Sequence, residues 1–182
     1  MTINIQEIDE SNALLLNSFE NRFTVHSRLV LSALDGVISY TIEEITPFVK
    51  QYPQEECESR AYISSPGRAV FFAFVDGQPA GQVRLHTHWN RLGYIEDIAV
   101  DEAYRRRGAG QTLLQRAVEW ARDRQLPGLM LETQDVNVDA CRLYERCGFI
   151  LSGFDRRLYM GFPDVSGETA LFWYYPLEKG NA

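Results

Sequence analysis

The segment from Tyr94 to Leu114 constrains the fold of this chain more than any other stretch. Residues 94–100 favour a strand because β-branched and aromatic side chains recur in them, and apolar residues follow at helical spacing from about Gly110. Between them stands Arg105-Arg106-Arg107-Gly108-Ala109-Gly110. The first amides of a helix lack backbone partners, and glycine lets a ligand approach the backbone. The segment therefore predicts an anion site, to which three arginines add positive charge.

Glycine spacing separates several kinds of phosphate loop. The dinucleotide pattern Gly-x-Gly-x-x-Gly would need glycine where Leu113 stands, and a P-loop would need Gly-Lys-Ser/Thr where Gly110 is followed by Gln111 and Thr112. The pattern that remains is Arg-x-x-Gly-x-Gly, from Arg105 to Gly110. A tight strand-to-helix turn with solvated arginines is the alternative interpretation of this hexapeptide.

Composition and charge narrow the class of protein. The chain has 182 residues and a net charge of -7 at pH 7, which predicts one domain over residues 1–182 and argues against nucleic acid or an anionic membrane as a partner. A cationic substrate is compatible with this charge. Cys57, Cys141 and Cys147 have no spacing typical of a disulfide framework or a zinc site. No signal peptide or transmembrane segment is recognised, so we expect a cytoplasmic protein with free thiols and no metal.

Hydrophobic periodicity and turn residues predict an α/β fold, with a mixed, mostly antiparallel central sheet and helices on both faces. Asp35-Gly36 and Asp76-Gly77 each separate two strand-like runs and so predict hairpins, and Asn137 is expected to cap a helix that Gly148 ends. Strands are predicted at residues 3–8, 28–34, 37–42, 69–75, 79–85, 94–100, 129–133, 150–153 and 170–175. Helices are predicted at residues 11–22, 54–63, 110–124 and 137–146.

A second motif follows the first along the chain. Residues 137–149 read Asn-Val-Asp-Ala-Cys-Arg-Leu-Tyr-Glu-Arg-Cys-Gly-Phe. This segment resembles the signature Asn-x-x-Ala-x-x-Leu-Tyr-x-x-x-Gly-Phe of the GNAT superfamily of N-acetyltransferases. The Arg-x-x-Gly-x-Gly segment resembles the loop that holds the pyrophosphate of acetyl-CoA in the same superfamily. Two motifs in the family order identify the chain as a GNAT member.

Six stretches carry a closer likeness: Phe23–Val25, Tyr94–Asp101, Leu126–Gln134, Leu143–Phe149, Gly153–Asp155 and Ala170–Tyr174. They resemble the bacterial streptothricin acetyltransferases. They cover about Phe23 to Pro176 and are clearest in the half expected to hold the cofactor, about residues 94–176. The resemblance implies a single GNAT domain that transfers acetyl from acetyl-CoA to an amine of streptothricin, in its β-lysine portion, and so gives antibiotic resistance. Acetylation of another small polyamine or of a protein lysine, and a non-catalytic acyl-CoA sensor, stay open as alternatives. The family analogy also allows a homodimer.

The resemblance further assigns residues to acetyl-CoA. The backbone of the strand that ends at Val100 would bind the pantetheine arm, the arginine–glycine loop would hold the pyrophosphate, and Asn137 would contact the cofactor beyond it. The hydroxyl of Tyr144 would face the CoA sulfur. The full implied set is Ile98, Ala99, Val100, Arg105, Arg106, Arg107, Gly108, Ala109, Gly110, Gln111, Asn137 and Tyr144.

Acetyl transfer to an amine needs a proton acceptor, since a lysine-type amine with a pKa of about 10.4 is almost wholly charged at pH 7. Glu96 and Asp97 are the candidates because they lie on the strand that would hold the cofactor. Side chains alternate along a strand, so only one of the two is expected to face the acceptor, and family analogy favours Glu96. The alternative is that Glu96 pairs with a neighbouring positive side chain.

Tyr144 would give a proton to the leaving sulfur, unless it is simply a core residue of an amphipathic helix. A backbone amide of residues 98–100 would hold the oxyanion if a bulge opened that strand. The residues expected to bind the acceptor are Asp97, Trp89 and Asp155, and Tyr159 is a further candidate.

Histidines and cysteines are weaker candidates. His86 and His88 would share one strand face as a metal pair does, yet no third ligand accompanies them, which favours a polar strand end. Cys141 and Cys147 could suggest a nucleophile, but their neighbours indicate helix packing, and no activated Cys–His arrangement is evident.

Overall fold

The structure is a computed structural model that describes residues 1–53 and 57–177. The chain separates into two compact units. The first comprises residues 1–21, residues 52–129 and the segment from Pro176 onward, and the second comprises residues 22–51 and 130–175. Each unit has buried residues of its own.

Nine strands and two α-helices lie in the described part of the chain. In chain order they are β1 (Ile3–Glu7), β2 (Arg22–Leu34), β3 (Val37–Gln51), β4 (Arg68–Val75), β5 (Gln78–Thr87), β6 (Gly93–Val100), α1 (Ala109–Asp123), β7 (Gly128–Gln134), α2 (Val138–Arg146), β8 (Ile150–Asp155) and β9 (Ala170–Pro176). None of the helices in this part of the chain is long and apolar enough to cross a membrane.

Seven of these strands belong to one mixed sheet. Within the first unit the strand order is β1-β4-β5-β6, and within the second it is β7-β9-β8, while β2 and β3 form a separate two-stranded sheet. Neighbours β1/β4, β4/β5, β5/β6, β8/β9 and β2/β3 are antiparallel. The predicted α/β class, with a mixed and mostly antiparallel sheet and helices, is confirmed.

Strand β4 lies at the centre of the first unit because both of its faces are buried. On one face, Val70 and Phe72 pack in an apolar cluster with Tyr62. On the other face, the guanidinium of Arg116 from α1 lies 4.4 Å from the ring centroid of Phe71. Helix α1 packs against β1, β4, β5 and β6 through its apolar stripe.

Both predicted hairpin turns are confirmed. Asp35 and Gly36 join β2 to β3 with φ of 51° and 78°, and Asp76 and Gly77 join β4 to β5 with φ of 48° and 82°. Positive φ at both central residues gives the turn whose twist matches that of the flanking strands. Strands β2 and β3 extend further than predicted because most of their residues are exposed and leave no apolar alternation to mark their ends.

The helix predicted over residues 11–22 is wrong. The segment forms one 3-10 turn at Ala13–Leu15 and then enters β2. Local polar bonds compete with the helix here, since the side chain of Asn12 accepts from the backbone amide of Asp9 instead of capping a helix. Asn17 has a φ of 59°, a left-handed conformation that a right-handed helix cannot include.

The helix predicted over residues 54–63 falls partly on residues 54–56, which lie outside the described residues. In the described remainder, Ser59–Ala61 form a 3-10 turn. The other predicted strands and helices are confirmed within a few residues, with α1 beginning at Ala109 rather than Gly110.

We predict that Gly81→Ala destabilises the protein. A Cβ at this position of β5 would lie 2.4 Å from the backbone oxygen of Ala99 on β6, so the two strands would have to move apart. The expected loss is roughly 1–3 kcal/mol of unfolding free energy, measured by urea denaturation. Gly67→Ala is the matched control, because nothing lies within 4 Å of its added Cβ. Equal urea midpoints for the two variants would contradict the prediction.

Candidate active site

Strand β6 carries an extra residue where it pairs with β5. Arg84 lies opposite Asp97 and the next residue, Leu85, lies opposite Ile95, so that Glu96 stands between two pairs. An extra residue of this kind is a β-bulge, which bends the strand and disturbs the alternation of its side chains. The sequence did not reveal this register.

The bulge brings both candidate carboxylates to one face of the strand pair. Gln82 and His86 share a face of β5 because they are an even number of residues apart. The Gln82 amide donates to Asp97 Oδ2 at 2.6 Å, and His86 Nδ1 lies 2.7 Å from Glu96 Oε1. Simple alternation, which put the two carboxylates on opposite faces, is therefore wrong at this position.

Both carboxylate oxygens of Glu96 have partners. The Tyr62 hydroxyl donates to Oε2 at 2.6 Å, and the His86 ring bonds Oε1. Burial and the hydrogen bond to Glu96 raise the pKa of Tyr62 well above its usual range. Tyr62 thus stays protonated and acts as a donor. A carboxylate accepts about four hydrogen bonds, so Glu96 retains room for a further donor such as an amine or a water.

Asp97 lies beside a buried cation. Arg84 Nε is 3.9 Å from Asp97 Oδ2, and the Arg84 side chain is 5% exposed. Burial is the largest single influence and lowers the pKa of Arg84, but Asp97, Tyr62 and Cys57 together outweigh it and the pKa is raised. A small open pocket of about 30 Å³ adjoins this pair. It is lined by Asn17, Phe19, Asn21, Pro53, Gln82, Arg84, Asp97 and Ala99.

The end of β6 is tied to the loop that follows. Residues 98–100 pair with β5, Val100 lying opposite Gly81. The Arg105 Nε–H donates to the backbone oxygen of Val100 at 2.8 Å. Arg105 therefore anchors the arginine–glycine loop to the strand, a role that the sequence motif did not suggest.

The loop then turns into α1 through two residues of positive φ, Arg106 at 63° and Gly108 at 93°. The first helical hydrogen bond runs from the Thr112 amide to the Gly108 oxygen at 2.9 Å. The amides of residues 109–111 precede it and lie at the positive end of the helix dipole. Arg106 and Arg107 are exposed beside them. This arrangement suits a phosphate group.

In the second unit, α2 has the predicted ends. Asn137 accepts from the Ala140 amide at 3.3 Å, which confirms it as the N-cap. Gly148 has a φ of 89°, and the Phe149 amide donates to the Tyr144 oxygen, which closes the helix as predicted. The Tyr144 side chain is buried, with its ring centroid 6.0 Å from Phe149 and 6.2 Å from Trp173.

The remaining predicted residues have simpler surroundings. Trp89 is 86% exposed and its ring lies 6.0 Å from that of His88. Asp155 accepts from the Arg157 amide at 2.6 Å at the end of β8. Cys141 is a free thiol, and burial raises its pKa to about 12, so it is unsuited to attack a thioester at neutral pH. Within residues 1–53 and 57–177, no cluster of His, Cys, Asp and Glu side chains could hold a metal ion.

Sequence reasoning missed a half-buried acid in the second unit, Glu132. Glu132 on β7 accepts a hydrogen bond from the Tyr159 hydroxyl, to which the Gln134 amide also donates. Burial raises the pKa of Glu132 to about 7, although the charge of Lys50 opposes the shift. The available signal was a single charged residue within the short apolar run 129–133, because such a residue is costly to bury without a purpose.

Comparison with known proteins agrees with this architecture. The Acetyltransferase (GNAT) family matches residues 39–149. Streptothricin acetyltransferase A of Bacillus subtilis (strain 168) is 37% identical over 172 residues, covering 94% of this chain and 98% of that protein. A streptothricin acetyltransferase of Escherichia coli is 36% identical over 171 residues, covering 94% of each.

Two solved structures extend the comparison. The acetyl coenzyme A complex of a protein from Bacillus anthracis str. Ames has a TM-score of 0.89 and 37% identity, covering 97% of this chain and 100% of that one. Nourseothricin acetyltransferase has a TM-score of 0.80 and 29% identity, covering 97% and 99%. The chain belongs to the GNAT family of acetyltransferases.

Glu132 should make stability depend on pH. Its pKa rises from 4.5 to about 7 on folding, so between these values the folded chain holds a proton that the unfolded chain has lost. This contribution is present below about pH 4.5 and is lost as the pH rises through about 7, by roughly 1–3 kcal/mol. Glu132→Gln, which mimics the protonated acid, should flatten the fall in unfolding free energy between pH 5 and 8.

Urea denaturation at a series of pH values measures this slope. Glu44→Gln, at an exposed position of β3 in the same unit, is the control and should follow the wild-type curve. Parallel curves for wild type and Glu132→Gln would contradict the assignment.

Proposed function

We propose that this chain transfers acetyl from acetyl-CoA to an amine of streptothricin, in its β-lysine portion, and thereby gives resistance to the antibiotic. One observation carries the choice of substrate: two curated streptothricin acetyltransferases are 36–37% identical over 94% of this chain. The net charge of -7 is compatible with a cationic acceptor. We further propose a cytoplasmic enzyme with one domain over residues 1–182, which forms a homodimer and uses no metal.

The base in this proposal is Glu96. The acceptor amine must lose a proton before or during its attack on the thioester carbonyl, because only a neutral amine has a free electron pair. Glu96 lies on the bulge of β6 and has acceptor capacity beyond its bonds to Tyr62 and His86. The proton passes from nitrogen to this carboxylate, directly or through one water.

Collapse of the tetrahedral intermediate completes the transfer. The nitrogen–carbon bond has formed, the carbon–sulfur bond breaks, and the departing sulfur takes the hydroxyl proton of Tyr144. The second proton that the nitrogen loses on becoming an amide restores this hydroxyl through water. A backbone amide in residues 98–100 holds the oxyanion in between. The bulge at Glu96 supports this step, because bulges reorient the backbone groups that follow them.

The remaining proposed roles are the binding of acetyl-CoA and of the acceptor. The backbone of Ile98, Ala99 and Val100 takes the pantetheine arm, and Asn137 contacts the cofactor from the cap of α2. The pyrophosphate meets Arg106, Arg107 and the amides of Gly108, Ala109, Gly110 and Gln111, while Arg105 holds this loop in place through Val100. The acceptor contacts are assigned to Asp97, Trp89 and Asp155.

Purified protein should release free thiol from acetyl-CoA when streptothricin is present, together with a singly acetylated antibiotic detected by mass spectrometry. Glu96→Gln, which keeps the shape but loses the base, should lower kcat by roughly 10²–10⁴ with little change in CoA affinity. Glu119→Gln, at an exposed position of α1, is the matched control.

Three outcomes would redirect the proposal. Thiol release with other amines alone would point to another polyamine or a protein lysine. Tight CoA binding without acetyl consumption across a panel of amines would point to a sensor. If Glu96→Gln kept the wild-type rate, the same assay on Asp97→Asn and Glu132→Gln would test the other two carboxylates, since the pKa of Glu132, about 7, also suits a base.

Tyr144→Phe should lower kcat by roughly ten- to a hundredfold while CoA affinity stays within about twofold, because the ring packing survives and the proton donor is lost. Steady-state kinetics and CoA titration measure the two quantities. Tyr40→Phe is the control. It removes a hydroxyl on β3 that bonds Glu145, which lies on α2 beside Tyr144. An unchanged kcat in Tyr144→Phe would remove Tyr144 from the acid role.

A further inference from the structure

Two imidazole rings continue from Glu96 in an unbroken line of polar contacts. His86 Nδ1 lies 2.7 Å from Glu96 Oε1, and His86 Nε2 lies 3.1 Å from His88 Nδ1. His86 lies on β5, and His88 directly follows the last residue of that strand, Thr87. The contact between the two rings places them on the same side of the chain. The His86 ring uses both nitrogens, Nδ1 toward Glu96 and Nε2 toward His88.

Aromatic packing and backbone bonds fix this line in place. The Tyr94 ring lies 5.3 Å from the His86 ring and 5.0 Å from the His88 ring, stacked on the latter at 26°. The His88 amide donates to the Leu92 oxygen at 2.8 Å, which holds the turn after β5. The turn carries the 86% exposed Trp89, so the line runs from the bulge toward solvent.

The other partner of Glu96 cannot serve as an exit for a proton. Tyr62 donates its own proton to Glu96, and its pKa is raised well above the usual range, so it neither ionises nor accepts a second proton at neutral pH. The Glu96 side chain is 19% exposed and that of His86 is 24% exposed. Imidazole accepts a proton at one nitrogen and releases one from the other, so it can pass a proton along a line of contacts.

We propose that His86 and His88 form a relay that carries the proton gained by Glu96 to bulk water. The proposal rests on the proposed function, in which Glu96 takes that proton from the acceptor amine. Both histidines act through Glu96 and are positioning residues in this scheme. In the alternative, the two histidines form a polar strand end that only orients Glu96. Added imidazole buffer would then not restore the rate of a histidine variant.

The steps balance as proton transfers alone. While Glu96 is ionised, His86 donates its Nδ1–H to Oε1. Once Glu96 has gained the proton, exchange with water moves the hydrogen of His86 to Nε2, and Glu96 passes its proton from Oε1 to Nδ1. The Nε2 proton of His86 moves to Nδ1 of His88, and the Nε2 proton of His88 moves to water. One proton has travelled from the amine to solvent, His86 again donates Nδ1–H to the ionised Glu96, and exchange with water returns His88 to its first tautomer.

His88→Asn tests the relay. The asparagine amide can still bond His86 at the position of Nδ1 but cannot pass a proton onward. We expect kcat for acetylated streptothricin, followed by mass spectrometry against enzyme-free controls, to fall about tenfold in dilute buffer and to recover as imidazole buffer is added. The wild type and His26→Asn, at an exposed position of β2, should show no dependence on buffer concentration.

Two results would overturn the relay. One is a His88→Asn rate equal to the wild-type rate in the most dilute buffer, and the other is a lowered rate that imidazole does not restore while urea denaturation shows wild-type stability. His86→Asn provides a second variant, because its amide keeps a bond to Glu96 and its rate should also recover with imidazole. Absence of turnover in the wild type would overturn the proposed function instead, so the two failures are distinguishable.

Discussion

The close pairing of β5 with β6 is the constraint on which the polar face of the first unit depends. Gly81 permits the approach, since any Cβ there would lie 2.4 Å from the Ala99 oxygen, and a few residues along the register slips by one at Glu96. Without the slip, Glu96 and Asp97 would alternate, and one carboxylate would enter the apolar layer that packs under α1. Burying a charge there without a partner is costly. The bulge thus lets two consecutive acids remain in a central strand.

The three arginines of the arginine–glycine loop have different surroundings. Arg105 bonds the carbonyl at the end of β6, whereas Arg106 and Arg107 are exposed beside the first amides of α1. Positive φ at Gly108 permits the reversal that sets those amides at the end of the strand. A hexapeptide that looks like three equivalent cations therefore comprises one arginine that anchors the loop and two whose side chains are exposed.

Sequence reasoning succeeded where the determining chemistry is local. The Asp-Gly hairpins, the Asn137 cap and the helix end at Gly148 each depend on residues within a few positions. It failed where distant residues decide: the Tyr62–Glu96 bond joins residues 34 apart, and the bulge is a property of paired strands. At residues 11–22 a distant partner adds to the local polar bonds that compete with the predicted helix, since the Asn17 amide donates to a side chain 65 residues away.

The charges of their neighbours distinguish Glu96 from Asp97. Sequence and family likeness could only rank these two carboxylates as candidate bases. Two like charges at neighbouring positions on one face disfavour each other's ionisation. Arg84, fixed in charge and almost fully buried, lies beside Asp97 and compensates that carboxylate. The partners of Glu96 are the hydroxyl of Tyr62 and the imidazole of His86, neither of which carries a permanent positive charge. The uncompensated negative charge of this face therefore rests on Glu96. A base must hold its electron pair available to the acceptor, so this asymmetry favours Glu96 as the base and is compatible with Asp97 as a contact of the acceptor.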